Sequence, residues 1–127
     1  MRVILVRHAE AAPGEPDALR PLTPAGHDTA RALGAVLARE HPDAVVTSPL
    51  RRARETAAAI AEAAGLEAVP DDGMAPGATA TLLREAVAGR GATVVAVGHQ
   101  PDCGSIVEEL TGERRPFAPG AHVELEL

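Results

Sequence analysis

The chain has no lysine, tryptophan or tyrosine, and only one phenylalanine and one cysteine among its 127 residues. A single Cys103 excludes an intramolecular disulfide and suits a reducing compartment, so a cytoplasmic location is expected. With aromatics all but missing, aliphatic side chains must fill the core, and native packing density permits that. No apolar run approaches the roughly 18 residues that span a bilayer. The opening stretch Met1 to Arg7 is too short for a signal peptide and is followed by no small-residue cleavage site. The formal net charge of −6 argues against a general nucleic-acid binder, which depends on surplus positive charge. Neither a nucleic acid nor a membrane is therefore expected as a partner.

What is present is the make-up of an ordinary globular domain, with 46% hydrophobic against 24% charged residues. The length suits one domain covering residues 1–127. Val3 to Val6 reads as a strand buried on both faces, followed by a polar loop from Arg7 to Pro21. Thr23-Pro24 has the form of a helix cap with proline in the first turn, and Ala25 to Glu40 carries apolar residues at helical spacing. A second strand falls over Asp43 to Thr47. Ser48-Pro49 repeats the cap-plus-proline signal before a helix from about Leu50 to Ala64, which Gly65 ends. Leu66 to Val69 has the size of a short edge strand, and Pro70 to Thr79 that of a second loop. A helix over Thr79 to Ala88, a strand over Thr93 to Val97 and a helix over Asp102 to Leu110 follow. The alternation from His122 to Leu127 predicts a half-exposed strand at a sheet edge. Strands alternating with helices make this an α/β fold: a three-layer sandwich with a mostly parallel sheet, helices on both faces and a C-terminal edge strand.

Ligands of such sheets bind beyond the carboxyl ends of the strands. Three predicted strands run there into polar sequence: Arg7-His8, Ser48-Pro49-Leu50-Arg51-Arg52, and Gly98-His99-Gln100-Pro101. If the three are parallel neighbours, two histidines and up to three arginines meet at one rim. All 12 basic residues are arginine, which coding bias explains for most of them, yet arginine is also the better bidentate partner for phosphate. Arg51 and Arg52 stand at the positive end of a helix, an unfavourable place for a cation unless an anion lies nearby.

That grouping suits phosphoryl transfer. A phosphomonoester repels an anionic nucleophile but not a neutral imidazole, whose second nitrogen can be fixed by a hydrogen bond. Two guanidinium groups can hold the equatorial oxygens as the phosphoryl group flattens, and a second imidazole can donate another hydrogen bond. Other chemistries lack their parts. Without lysine there is no Gly-rich loop ending in Lys-Ser or Lys-Thr. Cys103 has Glu109, not arginine, six residues later, so a cysteine-phosphatase loop is absent. His8 and His99 have no clustered third ligand, so neither a metal nor another cofactor is expected.

At these residues the sequence resembles the histidine phosphatase superfamily (phosphoglycerate mutase-like), and within it the small SixA-type phosphohistidine phosphatases. Arg7-His8-Ala9-Glu10-Ala11 is similar to the family's Arg-His-Gly signature, with Ala9 at the glycine. Arg20-Pro21-Leu22-Thr23-Pro24-Ala25-Gly26 resembles Arg-Pro-Leu-Thr-x-x-Gly, and Ser48-Pro49-Leu50-Arg51-Arg52-Ala53-Arg54-Glu55-Thr56 resembles Ser-Pro-x-x-Arg-Ala-x-x-Thr. Val97-Gly98-His99-Gln100-Pro101 looks like the motif of the second histidine. The resemblance implies that His8 is the nucleophile and is transiently phosphorylated, with Arg7, Arg52 and His99 completing the catalytic pocket. Arg20, Ser48 and Gln100 are the expected substrate-binding residues, and Arg51 falls on the rim. Asp71 and Asp72 lie where larger members carry a general acid, but match no motif and read as loop carboxylates. The implied substrate is a phosphohistidine on a protein, with small phosphomonoesters, or phosphoryl binding without turnover, as the alternatives.

Overall fold

The computed structural model describes all 127 residues. Five strands, β1 (Arg2–Arg7), β2 (Ala44–Thr47), β3 (Ala68–Pro70), β4 (Thr93–Gly98) and β5 (His122–Glu126), form one sheet in the order β3-β2-β4-β1-β5. Every pairing is parallel except that of β1 with β5. The helices are α1 (Pro24–Ala38), α2 (Arg51–Ala64), α3 (Ala80–Val87) and α4 (Asp102–Thr111).

Side-chain alternation along the buried strands feeds two cores. Val3 and Leu5 of β1 and Val94 and Ala96 of β4 pack with Leu83 and Val87 of α3 and Ile106 and Val107 of α4. On the opposite face, Ile4, Val6, Val95 and Val97 pack with Leu33 and Leu37 of α1 and with Ala53, Ala57 and Ile60 of α2. The sandwich is thus three layers deep, as the alternation predicts. Aliphatic residues and alanine fill it, with Phe117 the one buried aromatic.

Local signals set most boundaries. Thr23 caps α1 by accepting from the Gly26 amide, and Pro24 occupies the first turn. Gly65 ends α2 at φ +72°, a conformation glycine adopts without steric cost. Ser48 does not cap α2 as expected. The cap position is Leu50, and the Ser48 hydroxyl accepts from the Leu50 amide at 3.2 Å from one turn outside the helix. Both predicted loops contain a short 3-10 turn, Asp17–Leu19 in the first and Asp72–Met74 in the second.

Candidate active site

Register builds the site. In the β1–β4 ladder Arg7 lies opposite Gly98, and in the β2–β4 ladder Thr47 lies opposite Val97. Both ladders run one step further, through His8 N–H to the Gly98 carbonyl (3.0 Å) and Ser48 N–H to the Val97 carbonyl (2.9 Å). Residues leaving the three strands therefore emerge side by side. The rings of His8 and His99 stand 5.2 Å apart, centroid to centroid, edge to face.

His8 Nδ1 lies 2.7 Å from the Ala9 carbonyl oxygen. A carbonyl only accepts, so Nδ1 carries the proton and Nε2 keeps its lone pair. Burial, joined by the charges of Arg52, Arg7 and Arg20, holds the His8 pKa below the ordinary imidazole value, against the opposing pull of the Ala9 carbonyl. The ring is neutral at neutral pH. Ala9 itself is fully buried, and its amide donates to Thr56 Oγ1 at 3.1 Å. His41 is the one non-glycine residue with positive φ, so Ala9 takes the signature position without strain.

His99 is 4% exposed, and its Nε2 lies 2.7 Å from Ser48 Oγ. Burial above all, then the charges of His8 and Arg52, pushes its pKa down to about 4. Its Nδ1 is buried with no hydrogen-bond partner, and so is Nε of Arg7. Orphaned buried donors are uncommon in native proteins and concentrate where function requires them. The remainder of Arg7 is fixed by Nη1, which donates to the Phe117 carbonyl at 2.8 Å.

Arg52 projects from the first turn of α2, and its side chain is only 8% exposed. Nη1 donates to the Asp17 carbonyl (2.9 Å) and Nη2 to the Asp17 carboxylate (3.2 Å). Arg20 donates to the other oxygen of the same carboxylate at 3.1 Å and to the Ala12 carbonyl at 2.8 Å. The anion that a cation at this helix end calls for is thus supplied by Asp17. Sequence reasoning placed Asp17 in a featureless loop; the one signal was its position three residues before Arg20.

The structure brings Arg7, His8, Arg52, His99 and Arg20 into one charged cluster and gives the other expected residues separate tasks. Ser48 is fully buried between His99 and the Leu50 amide. Gln100 turns its Oε1 to the Gly104 amide in the first turn of α4 (2.7 Å). Ser48 has no exposed surface, whereas Gln100 is partly exposed. Arg51 is exposed and pairs with Glu55 at 3.7 Å. Asp71 caps its own turn through the Gly73 amide, and Asp72 is exposed. Burial pushes the Cys103 thiol up to about 12, so it supplies no thiolate at neutral pH. No group of three or more His, Cys, Asp or Glu stands at metal-holding distances. No helix is long and apolar enough to cross a membrane.

Known proteins share this frame. SixA, a protein histidine phosphatase solved with tungstate, is 29% identical and superposes with a TM-score of 0.86 over all of this chain and 88% of its own. A protein from Agrobacterium tumefaciens assigned as SixA is 32% identical, with a TM-score of 0.82 over 98% of this chain and 90% of its own. Phosphoserine phosphatase 1 of Hydrogenobacter thermophilus is 38% identical over 81 residues, 57% of this chain. The chain spans only about a third (36%) of the length of that curated relative. The sequence profile of the histidine phosphatase superfamily (branch 1) matches residues 3–76, which hold Arg7, His8, Arg20 and Arg52. The chain belongs to the histidine phosphatase superfamily, branch 1, and is of the SixA type.

Proposed function

We propose that this domain is a phosphatase that works through a phosphohistidine on His8, with histidine-phosphorylated protein as its substrate. The observation that carries the reading is the fixed tautomer of His8, a neutral ring with Nδ1 bound to the Ala9 carbonyl and Nε2 unprotonated beside His99.

In the first step the Nε2 lone pair attacks phosphorus, an N–P bond forms, and the bond to the leaving group breaks with its electron pair. In the second, water attacks the phosphorus, inorganic phosphate departs, and His8 recovers its lone pair. Arg7 and Arg52 hold the equatorial oxygens through the loose transition state. Ser48 Oγ already accepts from the Leu50 amide and its proton has His99 Nε2 as acceptor, so in this reading Nδ1 of His99 carries the ring proton and gives it as a hydrogen bond to a phosphoryl oxygen. Positioned donors of this kind need no rearrangement as charge moves, and they supply much of what phosphoryl transfer requires. Arg20, whose charge also acts on His8, is the substrate-binding arginine in this reading.

Two things support a protein-borne phosphohistidine. Apart from the stretches 8–23, 71–79 and 112–121 the segments joining the elements are short, which leaves little chain to wall the site off from a bulky substrate. Of the second-loop carboxyl groups, Asp71 is engaged by the Gly73 amide and Arg90 and Asp72 is exposed, and a nitrogen leaving group has less need of a general acid than an alkoxide. The similarity to Phosphoserine phosphatase 1 favours a second reading, a small phosphomonoester substrate.

The test compares release of phosphate from a histidine-phosphorylated peptide, from phosphoserine and from p-nitrophenyl phosphate, with and without EDTA. Wild type should prefer the phosphohistidine peptide and yield an acid-labile phosphoprotein on rapid quench, with EDTA without effect. His8→Ala should lose both turnover and label. Preference for phosphoserine would move the assignment to the second reading, and binding without turnover would make the domain a phosphoryl-binding module.

A further inference from the structure

The Asp17 carboxylate is the one negative charge inside an arginine cluster built to receive a dianion. Its oxygens are shared between Arg52 and Arg20, and its backbone carbonyl takes a further donor of Arg52. The carboxylate is 62% exposed, whereas the Arg52 side chain beneath it is 8% exposed. Asp17 therefore lies on the solvent side of the guanidinium, at the mouth of the site. Its charge acts on His99 in opposition to those of His8 and Arg52.

A carboxylate in that place is a puzzle for phosphoester chemistry. The hydrogen bonds from Arg20 and Arg52 hold its pKa below the usual carboxylate range, so it has no proton to give a departing alkoxide. It also repels the phosphoryl group that the arginines attract. In-line displacement offers it another task. An attack by His8 from the buried side would send the leaving group toward solvent, the side on which the Asp17 carboxylate is exposed.

We propose that Asp17 is a specificity residue whose carboxylate accepts a hydrogen bond from the protonated ring of a phosphohistidine, selecting a nitrogen leaving group over an alkoxide. This rests on the phosphohistidine reading above and names the residue that enforces it. A phosphohistidine ring protonated on its free nitrogen is a cation. When His8 Nε2 forms its bond to phosphorus, the substrate N–P bond breaks and its electron pair returns to the ring. The product is neutral imidazole that already holds its proton, so no general acid takes part. The carboxylate favours the protonated ring, and therefore the form that leaves.

Asp17→Asn separates this task from anchoring Arg52, because the backbone carbonyl is untouched and the amide oxygen still accepts from one guanidinium. The measurement is kcat/KM of wild type, Asp17→Asn and Asp17→Glu on a histidine-phosphorylated peptide and on p-nitrophenyl phosphate, whose leaving group needs no proton. Asp17→Asn should lose at least about tenfold more on the peptide than on the aryl ester, with Asp17→Glu restoring most of the peptide activity. An equal loss on both substrates overturns the proposal and makes Asp17 only an anchor for Arg52. No loss on the peptide, or a gain on both substrates, overturns it as well, the gain marking a carboxylate that merely competes with phosphate. A wild type that hydrolyses the aryl ester but not the peptide refutes the phosphohistidine reading itself. That failure is distinct, because it shows before any substitution is made.

Discussion

Ser48 Oγ lies 2.7 Å from Nε2 of His99, and both residues are buried away from solvent. A ring held from one side has one orientation and one tautomer, with its other nitrogen committed to the opposite side. Ser48→Ala removes that hold and leaves Nε2 unpaired in the interior. The expected result is a fall in kcat of about tenfold to a hundredfold with KM little changed, together with about 1–3 kcal/mol of lost stability. Steady-state kinetics and urea unfolding of the same preparation check it. A rise in KM at constant kcat would instead make Ser48 a binding residue.

Thr56 performs a comparable task one step behind His8. Its hydroxyl accepts from the Ala9 amide and donates to the Arg52 carbonyl at 2.9 Å, joining the segment that orients His8 to the helix that carries Arg52. Thr56→Val keeps the shape and orphans the buried Ala9 amide. It should cost about 1–3 kcal/mol in chemical denaturation, and Thr56→Ser should recover most of that. Slower formation of the phosphoenzyme at unchanged phosphate affinity should accompany the loss.

Much of this was legible in the sequence, and the rest was hidden for identifiable reasons. Strands such as Val94 to Val97 announce themselves because burial on both faces demands unbroken apolar runs. Thr23 and Gly65 mark helix ends because capping and left-handed backbone depend on the residue at that one position. Asp17 is different. Its place beside Arg52 depends on how the sixteen-residue connection between β1 and α1 folds back over α2, which no local pattern encodes. The Phe117 carbonyl that fixes Arg7 is a backbone atom 110 positions away and has no residue signature at all. Ser48 misled for a related reason. It has a capping residue's identity, but stands two residues ahead of Leu50, the residue at the cap position, and faces His99.

The loop that carries Asp17 is anchored at Gly26. A Cβ there would overlap the Glu10 carbonyl oxygen, which also accepts from the Thr23 amide at 3.0 Å. Backbone cannot swing aside as a side chain can, so Gly26→Ala must part the loop from α1. About 1–3 kcal/mol of destabilisation is expected, the usual cost of overpacking. Because Asp17 and Arg20 move with the loop, KM should rise as well.

The depressed pKa of His99 makes fold stability depend on pH in a defined window. Its ordinary value is 6.5 and its value in the fold about 4. Between these the unfolded chain binds a proton that the folded chain does not, so stability rises with pH. The contribution is complete above pH 6.5, drains away as pH falls toward 4, and amounts in full to about 3 kcal/mol. His8 shifts in the same direction and adds to it. Carboxylates titrate in the lower part of this window too, so the comparison needs a variant without the imidazole. Unfolding by urea at pH 7 and pH 4.5, in buffers free of phosphate and sulfate so that anions do not stabilise the site, isolates the effect for wild type and His99→Gln. The variant is expected to lose about 2–3 kcal/mol less than wild type between the two conditions. Equal losses would mean that His99 takes up its proton inside the fold as readily as in the open chain, and burial would then not be what keeps the ring neutral.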